Sequence, residues 1–450
     1  MIFDRGYAKR ILHISLPIIL SNLVAQLQML IDRIFLGRLD IINMTAVGNA
    51  TTPIWVTISF LFSLTIGSTI LISQAVGKGD REAAYMQTCS LFKYNTFIGF
   101  ILFLVWILFP RVIFRLMKVP EAAFDLAVCY AKYYSPVFLL TGVGASIDSL
   151  LQTSERTKAL FASSVVRSGL NIVLDWILIF GKAGFPAMGV KGAAIATTIA
   201  EYAGGVVLLI LVLRDKKLVT LPKFRDILPA RFRPFLNAVK LGIPTALEDF
   251  AWNIGNLMIT VFLNLISDTA AGIYTIIFSV ELLPLVAISG IGQGSLTLSG
   301  QEKGRSSVSK IMDVVKTALI CCFIVSLAAL LLFILFPQFV LGLFTTDKTI
   351  LASAGIYLAI IGIDLFPKSG NIVIGSGIRG YGNTGWMLLT QIFGTIFVIS
   401  LSAIMVMVFH TGLIPLLIVV VADELLRSIA NYLRLRHLTS GSSDGRSAWD

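Results

Sequence analysis

Residues 168–201 read SGLNIVLDWILIFGKAGFPAMGVKGAAIATTIAE, in which two apolar runs flank a turn rich in Gly and Pro. Asn171 and Asp175 are four residues apart in the first run, and Thr197 and Glu201 repeat this spacing in the second. Residues four apart lie on one face of a helix, so each pair should point into protein. At about 1.5 Å of rise per residue, a helical hairpin that turns in the Gly/Pro segment places both pairs at a similar depth.

A third polar position lies at the same depth in the first apolar run of the chain. Asp32 comes five residues before Gly37, near the end of that run. A charge near the middle of a membrane costs about 2.5–3.5 kcal/mol on insertion scales, so several carboxylates at one level imply a bound cation or proton. Three helices would supply oxygen atoms at this level. Asp32, Asn171, Asp175 and Thr197 are therefore a candidate cation-coupling site.

Two interpretations of this set remain open. The four side chains form a hydrogen-bond network that only fixes helix packing, or they bind a coupling ion. Burial and a neighbouring like charge both favour the neutral form of a carboxyl group, which suits the uptake and release of a proton. The same oxygen atoms suit Na⁺, a hard cation. The residue types leave both ions open, and they indicate no other metal.

The composition is that of a polytopic membrane protein. Hydrophobic residues make up 56% of the 450 residues, charged residues 14%, and the mean hydropathy is +0.87, whereas soluble proteins are about one quarter charged. The 36 Lys and Arg against 25 Asp and Glu give a net charge of +11. These bases fall mostly in alternate loops, so we expect no nucleic-acid partner. The four cysteines have neither disulfide nor metal-ligand spacing.

Apolar runs of about 20 residues or more, the length that crosses a bilayer, predict an all-α protein with twelve transmembrane helices. They lie near 11–36, 45–75, 91–114, 126–150, 159–180, 190–213, 238–265, 271–298, 315–345, 350–376, 385–409 and 413–435. Cytoplasmic loops carry the excess of Lys and Arg. The loop charges therefore place the protein in the cell membrane with both termini in the cytoplasm.

The largest basic loop, residues 214–234, divides the chain. We expect an N-terminal six-helix lobe over 1–215, a cytoplasmic linker over 216–236, a C-terminal six-helix lobe over 237–438 and a disordered tail over 439–450. Six spans in each half mean that both halves enter the membrane from the same side. The two halves are therefore parallel repeats.

Paired residues support the repeat, because they recur at one offset. Pro17 and Pro244 (244 − 17), Gln74 and Gln301 (301 − 74), Gly77 and Gly304 (304 − 77), and Phe109-Pro110 and Phe336-Pro337 (336 − 109) are each 227 residues apart. The same offset maps Asp32 onto Ile259 and Asp175 onto Ser402. The second half thus has no copy of the acidic cluster, so one lobe should hold the cation site.

These residues resemble the multidrug and toxic compound extrusion (MATE) family of cation-coupled antiporters. The resemblance runs from about residue 10 to 436 and rests on five segments in the family's order: IDRIFLGRLD (31–40), SQAVGKGD (73–80), NIVLDWILIFG (171–181), VKGAAIATTIAE (190–201) and IRGYGNTG (378–385). It implies a V-shaped pair of six-helix lobes and transport by alternating access. It also implies that Asp32, Asn171, Asp175 and Thr197 match the N-lobe site of members that use H⁺ or Na⁺. The NxxxD spacing is most similar to the DinF-like branch.

A second group of polar residues is predicted to line a substrate cavity: Glu201, Glu281, Asp364 and Lys368. Asp364 and Lys368 are an i, i+4 pair with the acid first, the better order for a helical ion pair. Lys368 stands where the NorM-like branch of the family carries an acid, so we expect Lys368 to contact Asp364 or Glu281. The alternative is a wet cavity in which Lys368 is a free cation that acts on substrate selection. A packing role for Glu201 stays open.

The predicted function is secondary active efflux: antiport of H⁺ or Na⁺ against amphipathic, mostly cationic organic compounds. The alternative is a flippase for lipid-linked oligosaccharides, or an exporter of another small solute, with the same two-lobe architecture. An enzyme is not expected, because neither a His-Glu-x-x-His motif nor a GxxxxGK[ST] loop is present. We expect no cofactor, a small organic substrate and a monomer.

Overall fold

The computed structural model describes residues 4–218 and 220–440, and every regular element in that part of the chain is a helix. The first half contains α1 (Arg5–Gly37), α2 (Ile41–Lys78), α3 (Arg81–Leu108), α4 (Pro110–Leu116), α5 (Glu121–Tyr134), α6 (Val137–Thr153), α7 (Lys158–Phe180) and α8 (Gly189–Arg214), followed by the short α9 (Phe224–Ile227).

The second half repeats this order. It contains α10 (Phe232–Ile266), α11 (Asp268–Gly304), α12 (Val308–Leu335), α13 (Pro337–Gly342), α14 (Lys348–Ala352), α15 (Ala354–Tyr381), α16 (Thr384–Ala403), a π-helical turn (Ile404–Val408) and α17 (Leu413–Ser440). The predicted tail falls outside the described residues from 441 onward, and residues 439 and 440 end α17.

Ten of the described helices are long and apolar enough to cross a membrane. The pair Glu121–Tyr134 and Val137–Thr153, bent by 50°, adds an eleventh if it is one span. The twelfth predicted span corresponds to α17, which is 28 residues long. Asp423, Glu424 and Arg427 lower its apolar character, so length rather than composition identifies it.

Proline sets the break between α3 and α4. Pro110 occupies the first turn of α4, where its missing amide costs nothing. The second half has the same arrangement, because α13 begins at Pro337 directly after α12. Pro17 and Pro244 both lie inside long helices, α1 and α10. The proline positions thus follow the 227-residue offset.

The hairpin of α7 and α8 positions the first group of polar residues. Gly181 ends α7 in the left-handed conformation with φ of 68°. A Cβ at this position would lie 2.5 Å from the amide nitrogen of Ala187, so the turn requires glycine. The helices on either side of the turn then run back along each other.

The described residues form two compact units. One contains Pro17–Ile72 and Arg81–Lys240, and the other contains the chain up to Leu16, Ser73–Asp80 and the chain from Leu241. The acidic cluster of α1, α7 and α8 lies entirely within the first unit. The end of α2 belongs to the second unit, together with the helices of the second half.

Candidate functional site

The structure brings the four residues of the candidate coupling site together from α1, α7 and α8. The amide of Asn171 donates to Thr197 Oγ1 at 3.4 Å and accepts a hydrogen bond from Gln28 at 2.6 Å. Ser168 in turn donates to the side-chain oxygen of Gln28 at 2.7 Å. Gln28 and Ser168 are members of this network that the sequence did not single out. They lie one helical turn before Asp32 and Asn171, respectively.

Asp32 and Asp175 form the acidic centre of this network. Their carboxyl groups lie within hydrogen-bonding reach of each other. Asp175 is only 1% exposed, and Oδ1 of each carboxyl is buried without a hydrogen-bond partner. Among the described residues, neither carboxyl forms an ion pair with Lys or Arg. Two carboxyl groups in contact need a shared proton or a cation, because two bare negative charges repel each other in a buried site.

Glu201 lies in a separate pair close to this cluster. Its carboxylate is 3.4 Å from the guanidinium of Arg167, on the neighbouring helix α7. Asp148 on α6 interacts electrostatically with both residues of the pair. Arg167 and Asp148 were missed at the sequence level, although Arg167 falls inside the apolar run 159–180 and is a signal in its own right. The pair is half-buried, so Glu201 is compensated in the described state.

Lys368 binds both of the acids expected as its partners. Its ammonium is 2.7 Å from Asp364 on the preceding turn of α15 and forms an ion pair with Glu281 of α11. The side chain of Lys368 is 15% exposed, and those of the two acids are 5–6% exposed. A cavity of about 20 Å³ beside these residues and Tyr274 holds about one water molecule. As it stands, the triad leaves no room for an organic molecule.

Further buried charges extend this cluster in the second half. Arg427 of α17 binds Asp423 at 2.8 Å and Glu424 at 2.9 Å, and it donates to Gln391 at 2.7 Å. Glu424 also accepts from Asn371 at 2.7 Å. Arginine suits this position because its planar guanidinium offers five donors. The amides and the guanidinium therefore satisfy the acids of α17 internally.

Removing the ammonium of Lys368 should destabilise the second half more than removing a complete pair. Lys368→Ala leaves two buried acids without a base, a change that typically costs about 3–5 kcal/mol, whereas removing both members of a pair can be near neutral. We expect Lys368→Ala to lower the melting temperature of the purified protein more than Lys368→Ala combined with Glu281→Ala. The exposed Lys348 gives the control, Lys348→Ala. Additive effects in the double variants with Glu281→Ala and with Asp364→Ala would rule out the triad.

The end of α2 crosses the end of α11 with the two backbones in contact. A Cβ at Gly77 would lie 2.0 Å from the carbonyl oxygen of Gln301, and a Cβ at Gly304 would lie 1.9 Å from that of Gln74. Both distances exclude any side chain, so only glycine fits at either position. The four residues are two of the pairs related by 227 residues. Each helix thus presents the same two residues to the other, and we call this contact the glycine crossing.

Polar contacts around the glycine crossing stabilise the ends of α2 and α11. The side chain of Gln74 donates to the carbonyl oxygens of Gly380 and Tyr381, at 3.0 and 3.3 Å, at the end of α15. Arg10 donates to the side chain of Gln301 at 2.5 Å, and the ammonium of Lys303 lies 3.7 Å from the ring centroid of Tyr381. The segments 73–80 and 378–385, which carry part of the family resemblance, therefore meet in three dimensions.

A family model described as MatE matches residues 17–177 and again residues 244–404. The two matches cover most of the chain. The chain belongs to the MatE family. Both ends of the two matches are 227 residues apart (244 − 17 and 404 − 177), which confirms the repeat and its offset.

Curated relatives carry multidrug names. A probable multidrug resistance protein NorM of Thermotoga maritima is 27% identical over 443 residues, covering 97% of this chain and 93% of the relative. A multidrug export protein MepA of Staphylococcus aureus is 24% identical and covers 78% of this chain and 77% of the relative. The MatE assignment thus extends over nearly the whole chain.

Solved structures confirm the MATE fold. An outward-facing multidrug resistance MATE family transporter of the MOP superfamily matches with a TM-score of 0.88 at 22% identity, covering 99% of this chain and 100% of that one. A MOP superfamily transporter from Pyrococcus furiosus matches with a TM-score of 0.86 at 21% identity and the same coverage. The protein is therefore a membrane transporter of the MatE family.

Proposed function

We propose that this MatE protein is a secondary active efflux transporter of the cell membrane, with both termini in the cytoplasm, that exchanges H⁺ or Na⁺ for amphipathic, mostly cationic organic compounds. The multidrug names of the relatives support efflux of organic compounds. The contact between Asp32 and Asp175 carries the coupling part of the proposal. The two groups form the most deeply buried acidic pair that lacks a basic partner among the sites described above.

The geometry of this pair favours H⁺ over Na⁺. A Na⁺ ion needs several free oxygen atoms as ligands. The polar side chains nearest the pair, Asn171, Gln28 and Ser168, are instead largely hydrogen-bonded to one another. Oδ1 of Asp32 and Oδ1 of Asp175 are the carboxyl oxygens of this pair that are buried without a hydrogen-bond partner. One proton shared between two carboxyl groups requires no further ligand. Proton binding would neutralise the pair and remove the charge that its buried position penalises.

The proposed transport cycle involves two parts of the molecule, the glycine crossing and the pair of Asp32 and Asp175. We assign the glycine crossing as a gate that is closed in the described state, since backbone contact leaves no passage between α2 and α11. A proton that enters from outside would bind at Asp32 and Asp175 and change the packing of α1 against α7. Substrate would leave outward before the crossing opens and the proton is released inward. Coupling then consists of a difference in proton affinity between the two states.

The charge of the buried residues supports cationic substrates over the flippase alternative. In the second half, the acids Glu248, Glu281, Asp364, Asp423 and Glu424 share three bases, Lys368, Arg379 and Arg427. Acids outnumber bases, and each of these bases is already bound to an acid. An anionic lipid-linked sugar would need unpaired bases, whereas an organic cation is attracted by the excess acids. Substrate contact at the Lys368 triad would require the triad to open.

Efflux driven by an imposed gradient tests this function. Purified protein in liposomes that contain a fluorescent organic cation should transport the dye when the pH gradient is imposed without Na⁺. A Na⁺ gradient at constant pH should give little transport, because the amide and hydroxyl groups around the two carboxyl groups are engaged in hydrogen bonds with one another. Transport by the Na⁺ gradient alone would identify the other ion. Failure of both gradients, with a lipid-linked sugar transported instead, would overturn the proposal.

A further inference from the structure

A groove on the exposed surface of the first half runs between α3 and α6. It encloses about 600 Å³, within the range of small-molecule sites. Phe97 and Phe100 are 59% and 46% exposed along it. The full lining is Lys93, Tyr94, Thr96, Phe97, Phe100 and Leu139. Lys93 is the one charged residue in this lining, so the groove has an apolar floor and a single basic end.

The segment between the two halves closes over the basic end of the groove. The ammonium of Lys93 donates to the carbonyl oxygens of Leu228 and Ala230 at 2.7 and 3.0 Å. Ser90, one turn earlier, donates to the carbonyl oxygen of Arg231 at 2.9 Å. An ammonium has three donors, so Lys93 keeps one for a ligand while it holds the segment in place.

This segment has the character of a membrane interface. Every fourth residue is an exposed large apolar one: Phe224, Leu228, Phe232 and Leu236, with exposures of 81%, 66%, 52% and 40%. Arg231 and Arg233 lie between them and are also exposed. Apolar side chains alternating with arginine are typical of segments that lie at the level of lipid headgroups. A groove that begins at such a segment would extend from headgroup level towards the apolar interior of the bilayer.

In the second half, two positions equivalent to the lining of this groove hold aromatic rings. At the 227-residue offset, Thr96 corresponds to Phe323 and Leu139 to Phe366. The two phenylalanine rings are in contact, with centroids 5.6 Å apart. The residue equivalent to Lys93 is Ile320. These positions are thus filled and uncharged in the second half, whereas in the first half they line an open groove with a basic end.

We propose that the groove between α3 and α6 binds an anionic phospholipid, with its phosphate at Lys93, Arg231 and Arg233 and one acyl chain along Phe97, Phe100 and Leu139. Charge complementarity selects an anionic headgroup over a zwitterionic one. The assignment rests on the cytoplasmic position of the segment proposed above, since anionic lipids attract basic segments at that surface. The bound lipid would join the segment between the halves to the helices of the first half.

Native mass spectrometry of the full chain in detergent tests this site with phosphatidylglycerol and phosphatidylcholine as probes. Wild type should retain one phosphatidylglycerol at least tenfold more tightly than phosphatidylcholine. The double variant Thr96→Phe/Leu139→Phe introduces the ring pair of the second half and should lose this retention. Its control is Ile324→Phe, which adds a ring at the lipid-facing position equivalent to Phe97. We expect the control to bind as wild type does.

The charges are tested separately from the shape of the groove. Arg231→Gln/Arg233→Gln should weaken phosphatidylglycerol binding roughly tenfold and leave phosphatidylcholine unchanged. Because both side chains are exposed, this variant should keep the wild-type melting temperature without lipid. Inorganic phosphate should not displace the lipid, since the acyl chain holds it in the groove.

Three results would overturn the proposal. Equal retention of both lipids by wild type would show that charge plays no part. Unchanged retention in Thr96→Phe/Leu139→Phe would place the lipid elsewhere. Displacement by inorganic phosphate would show an anion site without a lipid chain.

Discussion

Asp175→Asn is expected to abolish gradient-driven efflux while the protein still inserts and folds. Asparagine keeps the size and polarity of the side chain but cannot bind or release a proton, so the site loses its coupling chemistry. Asp175 is 1% exposed and contacts Asp32, so no other group can replace it. Asp32→Asn should have the same effect, because it removes one of the two carboxyl groups that we propose share the proton. Initial efflux rates in proteoliposomes measure both losses.

Two controls separate loss of coupling from loss of structure. Asp40→Asn removes an exposed acid whose carboxylate caps the amide of Ile42 at 2.7 Å, and asparagine caps equally well. This variant should transport at the wild-type rate. Ser402→Asn changes the second-half counterpart of Asp175 and should be better tolerated than Asp175→Asn. Near wild-type transport by either Asp32→Asn or Asp175→Asn would refute coupling at this site.

Gly77→Leu is expected to stop transport by a different route. A side chain at Gly77 cannot fit against the carbonyl oxygen of Gln301, 2.0 Å from its Cβ, so α2 and α11 cannot cross. We expect the protein to remain open at the glycine crossing. Ser73, one helical turn before Gly77 on α2 and fully buried in the described state, then becomes accessible, because residues four apart lie on one face of a helix. A Ser73→Cys reporter, placed in a background without the four native cysteines, should react with a thiol reagent in Gly77→Leu and stay protected with Gly77.

Gly48→Leu is the matched control on the same helix. A Cβ at Gly48 meets no atom within 4 Å, so leucine there should change neither transport nor the protection of Ser73→Cys. If Gly77→Leu transports normally and leaves the reporter protected, the crossing is not a gate.

The helices and their repeat could be predicted because a bilayer demands long apolar runs and the proline pairs keep one offset. The helix ends could not. The run at 91–114 corresponds to a helix that begins ten residues earlier, at Arg81, and ends at Leu108. An apolar run marks the part of a helix that contacts lipid. The first turns of α3 are polar and pack against the segment between the halves, so the run does not include them. The bonds of Gln87 and Ser90 to that segment show this.

Some polar residues of the candidate site could be predicted from the sequence, and others could not. The spacing of Asn171 and Asp175 predicted their shared face, and the structure joins them to Asp32 and Thr197. Arg167 was missed although a base within an apolar run is itself a signal. Its partner Glu201 lies on the next helix, so no local spacing links the two residues. The coupling role of the cluster stays a prediction, as does the DinF-like branch.

Asp423 and Glu424 show a limit of reasoning by helical faces. Adjacent residues point about 100° apart on a helix, which by itself argues against a shared partner. The structure pairs both acids with Arg427. A long side chain with a forked end reaches the third and the fourth preceding residue together, so adjacency does not prevent two acids from sharing one base.

The glycine crossing has the form of a homodimer interface within one chain. Gly77 meets Gln301 as Gly304 meets Gln74, and a contact in which each partner offers the same patch is what a two-fold axis produces between identical subunits. At the crossing the two repeats therefore behave as identical subunits would. Asp32 and Asp175 have Ile259 and Ser402 as their counterparts, so this internal symmetry does not extend to the acidic cluster.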